Sequence, residues 1–118
     1  MTKEQAINKV LNLARSEIGY REKASNARLD EKTGNAGSGN YTKYARDLDA
    51  VTKFYNGAKN GFAWCDIFVD WLFYHSFGAT DAMKMLCQPE KSAGAGCFYS
   101  AGYYKNCGRW TTDPQPGD

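Results

Sequence analysis

The sequence predicts a helical domain whose sheet, if it has one, lies beyond residue 118. Three observations carry this. Apolar residues recur at helical spacing in several segments, and no stretch alternates with the period of two that marks a half-buried strand. The sequence also stops at Pro116-Gly117-Asp118, a turn signal that usually introduces a further element. At 118 residues there is room for one domain with one core and too little for two.

Thr2 and Gln5 have the spacing of a capping box, and Ile7, Val10, Leu11, Ala14 and Ile18 follow as one apolar stripe. Gly19 is placed to end that helix. From Arg21 to Asn40 the pattern dissolves into charge, Asn and Gly, which reads as a long loop. Its glycines are no phosphate cradle, because no Gly-Lys-Ser/Thr follows them. Tyr41–Asp49 reads as a short helix capped by Asn40. After a second loop, Asn56–Gly61, comes the most apolar segment, Ala63 to Gly78. Cys65, Phe68, Val69, Leu72 and Ser76 share one face of it, and Phe68, Val69 and Leu72 are expected to bury against Val10, Leu11 and Ala14. Thr80 should cap a short helix through Leu86 that Pro89 ends, and Phe98–Cys107 should form the last one.

Composition excludes several classes. The net charge of +2 and the absence of a Lys/Arg cluster interleaved with aromatics give no argument for nucleic acid. No run of about 20 apolar residues exists to insert into a membrane. Met1–Tyr20 is charged throughout and does not read as a secretory signal, so the expected place of synthesis is the cytoplasm. The 8 Tyr and 3 Trp compensate for a modest aliphatic content and predict an aromatic core.

The four cysteines form no Cys-x-x-Cys, which argues against zinc, and no other cofactor is expected. Cys87 and Cys97 flank a Pro-then-Gly loop that can bring two chain ends together, so a disulfide, if one forms, is expected between them, with Cys65 unpaired. Cys65 opens the most apolar helix, after a Gly-containing loop. Unpaired N–H groups and the positive end of the helix dipole lie there, and both stabilise a thiolate. The same N–H groups can hold the oxyanion of a tetrahedral intermediate. The plain alternative is a small buried hydrophobe, the commonest role of a free cysteine.

The residues around Cys65 favour the nucleophile. Trp64-Cys65-x-x-Phe68-Val69-x-Trp71 resembles the nucleophile segment of the CHAP family, the cysteine, histidine-dependent amidohydrolase/peptidase domains of phage endolysins and prophage cell-wall hydrolases. Ala14-Arg15-x-Glu17-Ile18-Gly19-Tyr20-x-Glu22 is similar to the first helix of these domains, and Lys23-Ala24-Ser25-Asn26 to the turn that follows it. Gly39-Asn40-Tyr41-Thr42-Lys43-Tyr44-Ala45 and Phe54-Tyr55-Asn56-Gly57 resemble the approach to the nucleophile. Leu86-Cys87-Gln88-Pro89, Gly94-Ala95-Gly96-Cys97, Tyr103-Tyr104-Lys105 and Pro114-x-Pro116-Gly117-Asp118 are similar to the segment after it.

The resemblance implies an α+β, papain-like CHAP fold, of which residues 1–118 form a single C-terminally truncated domain carrying mainly the helical half and lacking most of the sheet. It implies a peptidoglycan hydrolase, amidase or endopeptidase, acting at the bacterial cell wall, with Cys65 as nucleophile and backbone oxyanion donor. The family's catalytic histidine and the residue orienting it follow the Pro-Gly-Asp turn, so the general base is expected to be absent here and the chain inactive alone. Self-association or pairing with a complementing C-terminal fragment is expected in consequence. The alternative is a catalytically dead wall-binding or interaction module; a small thiol–disulfide protein using Cys87, Cys97 and Cys107 is a weaker third.

Other candidates carry less. His75, the only histidine, lies ten residues after Cys65 in the same helix, about 15 Å along its axis, too far to act as its base. Asp47, Asp49, Asp66 and Asp70 lack the spacing of a calcium loop and read as solvated helix-face charges and first-turn acids. Ser25 and Ser76 have no Asp/His partners nearby in sequence, and Asn40-Tyr41-Thr42 matches a glycosylation sequon by chance.

Overall fold

The computed structural model describes residues 1–118 and contains five helices: α1 (Lys3–Ser16), α2 (Lys43–Asp49), α3 (Cys65–Phe77), α4 (Ala79–Met85) and α5 (Cys97–Asn106). α3 is the hub, since it packs against each of the other four and they make no comparable contact with one another. The core gathers Val10 of α1, Tyr44, Ala45 and Leu48 of α2, Ile67, Trp71 and Leu72 of α3, and Ala82 of α4, closed by Tyr20, Phe54, Tyr55 and Leu86. Tyr44 is its centre, with ring centroids 4.8–5.7 Å from those of Tyr20, Trp64, Phe68 and Trp71.

The α+β papain-like architecture is not what this chain builds. There is no sheet, only isolated bridges of Lys23 with Ala36 and Tyr41, and of Tyr55 with Ser92. Each bridge stays an isolated residue pair and no ladder propagates from it. Within residues 1–118 helices are the only regular elements.

The long loop between α1 and α2 is folded around Lys23. Its ammonium is enclosed, donating to the carbonyls of Glu31 and Lys32 and lying 4.7 Å from the centre of the Tyr20 ring. The glycines of this loop answer a packing need. A Cβ on Gly37 would stand 2.6 Å from the Ala24 side chain, and one on Gly39 2.6 Å from the carbonyls of Lys23 and Ala24.

Helix starts differ from expectation where backbone angles decide. Asn40 has φ +60°, incompatible with an extended N-cap, so α2 is capped by Thr42, whose hydroxyl accepts from the Ala45 N–H. Gly78, at φ +83°, turns the chain directly from α3 into α4 without Thr80 as cap. α5 begins one residue early, which places Cys97 in its first turn.

Candidate functional site

Cys65 is the first residue of α3 and is exposed. Trp64, the N-cap, makes no side-chain capping bond, and the first N–H to find a partner within the helix is that of Phe68, on the Trp64 carbonyl at 2.8 Å. The amides of the opening turn therefore stay available beside the thiol, as an oxyanion would require. Trp64 packs its ring on Tyr44 and Phe68, which fixes the backbone just before the sulfur.

A second thiol shares this position. Cys97 opens α5, which is likewise uncapped, and its sulfur lies 3.5 Å from that of Cys65, within hydrogen-bonding distance. This hydrogen bond, with burial in second place, pushes the Cys97 thiol up from its ordinary range. The disulfide pairing expected from the sequence, Cys87 with Cys97, is not the one the fold brings together. Cys87 lies instead near Cys107; burial and then the neighbouring Cys107 thiol raise its pKa, against the pull of the Arg109 guanidinium. The Pro-Gly loop between Cys87 and Cys97 does not return on itself, because Ser92 pairs with Tyr55 and carries α5 across to the start of α3. All four cysteines are free thiols.

The acids of α3 are not solvated. Asp66 and Asp70, one turn apart, both point inward. Ser100 of α5 donates to Asp66 Oδ2 at 2.6 Å, and Tyr55 donates to Asp70 Oδ2 at 2.5 Å. Burial raises the pKa of Asp66, with the Ser100 hydrogen bond opposing. Burial, reinforced by the charge of Asp66, pushes Asp70 up to about 8, with the Tyr55 bond working against it. Asp70 is therefore mainly a neutral acid at pH 7. Sequence spacing alone could have shown the two carboxyls on one face, but not that Tyr55 arrives there from a loop and Ser100 from α5.

The other polar candidates hold structure. Asp47 accepts from the Trp71 indole at 2.9 Å, and Asp49 accepts from the backbone N–H groups of Lys59 and Asn60. Nowhere do three or more His, Cys, Asp or Glu side chains converge as a metal would require. His75 sits exposed in the last turn of α3, its ring against Trp71. Ser25 accepts from the Asn35 amide, and the buried hydroxyl of Ser76 has no partner.

The apolar face expected to bury on α1 is turned partly outward. Leu72 is buried, but Phe68 is only half-buried and Val69 is 39% exposed. Val69, Phe73 and Phe77 line an open cleft of about 970 Å³, walled by Ile7 and Val10 of α1 and by Trp110 of the C-terminal segment. α3 is apolar on nearly every side, so its periodicity cannot say which side faces the core; Ile67 and Trp71, not Val69, take that place. No helix is long and apolar enough to cross a membrane.

No family model matches the chain, and no curated protein or solved structure matches it either.

Proposed function

We propose that Cys65 is the nucleophile of a cysteine-dependent amidohydrolase or peptidase that opens amide bonds of bacterial peptidoglycan. The observation that carries the reading is an exposed cysteine at the uncapped N-terminus of the central helix. The resemblance of the Trp64–Trp71 segment to CHAP nucleophile segments supports the substrate class; it is a likeness of the nucleophile segment, independent of the sheet that the chain lacks. Exposed aromatic side chains at Phe62, Phe98 and Tyr99, close in sequence to the two thiols, supply surface for stacking on sugars or peptide planes.

In this mechanism the Cys65 thiolate adds to the amide carbonyl, and the opening N–H groups of α3 receive the oxyanion. The leaving amine then needs a proton. His75 is at the wrong end of α3 to give it, so the acid–base partner comes from outside these 118 residues. Without it the tetrahedral intermediate returns to substrate by expelling the thiolate, the better leaving group.

The test is chemical rescue. Purified cell walls are incubated with the 118-residue chain, with and without imidazole at high concentration, and released amino groups are measured. Imidazole-dependent release, absent in Cys65→Ala, is the expected result. Release that is equal in Cys65→Ala refutes the nucleophile. Retention on the walls with no release under any condition identifies a binding module instead, the reading that the missing base favours.

A further inference from the structure

We propose that Cys65 and Cys97 form a reversible redox pair, in which a small disulfide oxidant closes an intrachain bond that blocks the Cys65 sulfur. The two belong to helices far apart in sequence, yet their sulfurs stand 3.5 Å apart. A disulfide has an S–S distance of about 2.05 Å, so closure takes a combined shift of about 1.5 Å, within reach of side-chain rotation at two exposed first-turn residues. Cys65 and Cys97 are both exposed, whereas Cys87 is partly covered.

The approach is held by a specific clamp. Ser100, three residues after Cys97, donates to Asp66, the residue after Cys65, and also lies 2.9 Å from the Gly94 carbonyl. Gly94 lets this turn close, since a Cβ there would stand 2.8 Å from the Gln88 amide oxygen. The start of α5 is thus fastened to the start of α3 beside the sulfurs. The hydrogen bond with Cys65, and burial after it, favour the protonated form of Cys97.

The chemistry is thiol–disulfide exchange. Cys65, as thiolate, attacks one sulfur of R–S–S–R, forming a mixed disulfide and releasing RS⁻, which takes up a proton. Cys97 loses its proton to solvent and attacks Cys65 Sγ, expelling the second RS⁻. The net change is two protein thiols oxidised and one small disulfide reduced to two thiols. A dithiol reductant reverses it. The regulatory consequence, silencing of the nucleophile, rests on the function proposed above; the bond itself does not.

The experiment therefore reads mass and not hydrolysis. The folded chain is treated with hydroxyethyl disulfide, quenched with acid, and mapped without reduction. The expected product is a peptide pair joined through Cys65 and Cys97, lost on reduction. Cys97→Ser should stop at the mixed disulfide on Cys65, and Ser100→Ala should slow ring closure several-fold, with circular dichroism confirming that both variants are folded. A wild-type chain that retains the mixed disulfide, leaves Cys65 unmodified, or joins Cys97 to Cys87 overturns the proposal. Those outcomes leave the imidazole-dependent release by Cys65 to stand or fall separately.

Discussion

Replacing Asp70 by Asn should change how stability depends on pH more than it changes stability itself. Asp70 is 1% exposed, with its carboxyl bonded to the Tyr55 hydroxyl and its pKa pushed up to about 8. An unfolded aspartate titrates near 3.9. Between those values the folded protein holds a proton that the unfolded chain has released, so stability is full below the lower value and is lost as pH rises toward the upper one. The loss is about 1.4 kcal/mol per pH unit, or roughly 3 kcal/mol between pH 5 and pH 7.5. That is a large share of the stability of a domain this size.

Asn carries no such proton and keeps an oxygen to accept the Tyr55 hydrogen bond. Urea unfolding followed by tryptophan fluorescence is the assay, because Trp64 and Trp71 both sit against Tyr44. At pH 5 the two proteins should differ little. By pH 8 Asp70→Asn should be the more stable by about 3 kcal/mol. Asp66, raised in the same direction, remains in both proteins and largely cancels from the difference. A stability difference that stays constant within about 0.5 kcal/mol from pH 5 to pH 8 would show that Asp70 is ionised in the fold.

Two further substitutions probe the frame. Ile67→Ala should cost about 2–5 kcal/mol, whereas Val69→Ala, two residues on but facing the open cleft, should cost less than about 1 kcal/mol; urea midpoints that reverse this order would mean that α3 is turned the other way. Lys23→Met keeps most of the length of the side chain but strips the Glu31 carbonyl of its donor and leaves that of Lys32 only the Arg21 N–H, which should cost about 1–3 kcal/mol and speed tryptic cleavage after Arg28; unchanged cleavage would mean that the loop holds its shape without the ammonium.

What was legible in the sequence was mainly local. The capping box of Thr2 and Gln5 is present with both of its hydrogen bonds, because it depends on residues three apart. All five helices lie within a few residues of where periodicity puts them. What was not legible needed partners from elsewhere in the chain. Nothing near Lys23 announces that its ammonium will be enclosed by carbonyls eight and nine residues on. The cysteines show the same limit. Loop composition suggested Cys87 with Cys97, yet the pairing of Tyr55 with Ser92 routes the chain so that Cys97 meets Cys65. The resemblance carried a sheet that these residues do not form, because a likeness of short segments around a nucleophile constrains one helix and its entry, not an architecture.

Helix starts differ along the chain. α1 and α2 are capped by the hydroxyls of Thr2 and Thr42, each accepting from the N–H three residues on. α3, α4 and α5 have no side-chain cap, although a cap is typically worth about 1 kcal/mol. α3 and α5 both begin with an exposed cysteine, and the two beginnings are drawn together by Asp66 and Ser100. A Ser or Asp at Trp64 or Gly96 would occupy the N–H groups that an anionic sulfur or an oxyanion could otherwise use. Inward, the same helix carries Asp70 as a neutral acid bonded to Tyr55, so α3 is anchored by polar contacts on its buried side while its first turn stays open to solvent. This division of labour along one helix is what connects the packing of the core to the chemistry proposed for Cys65.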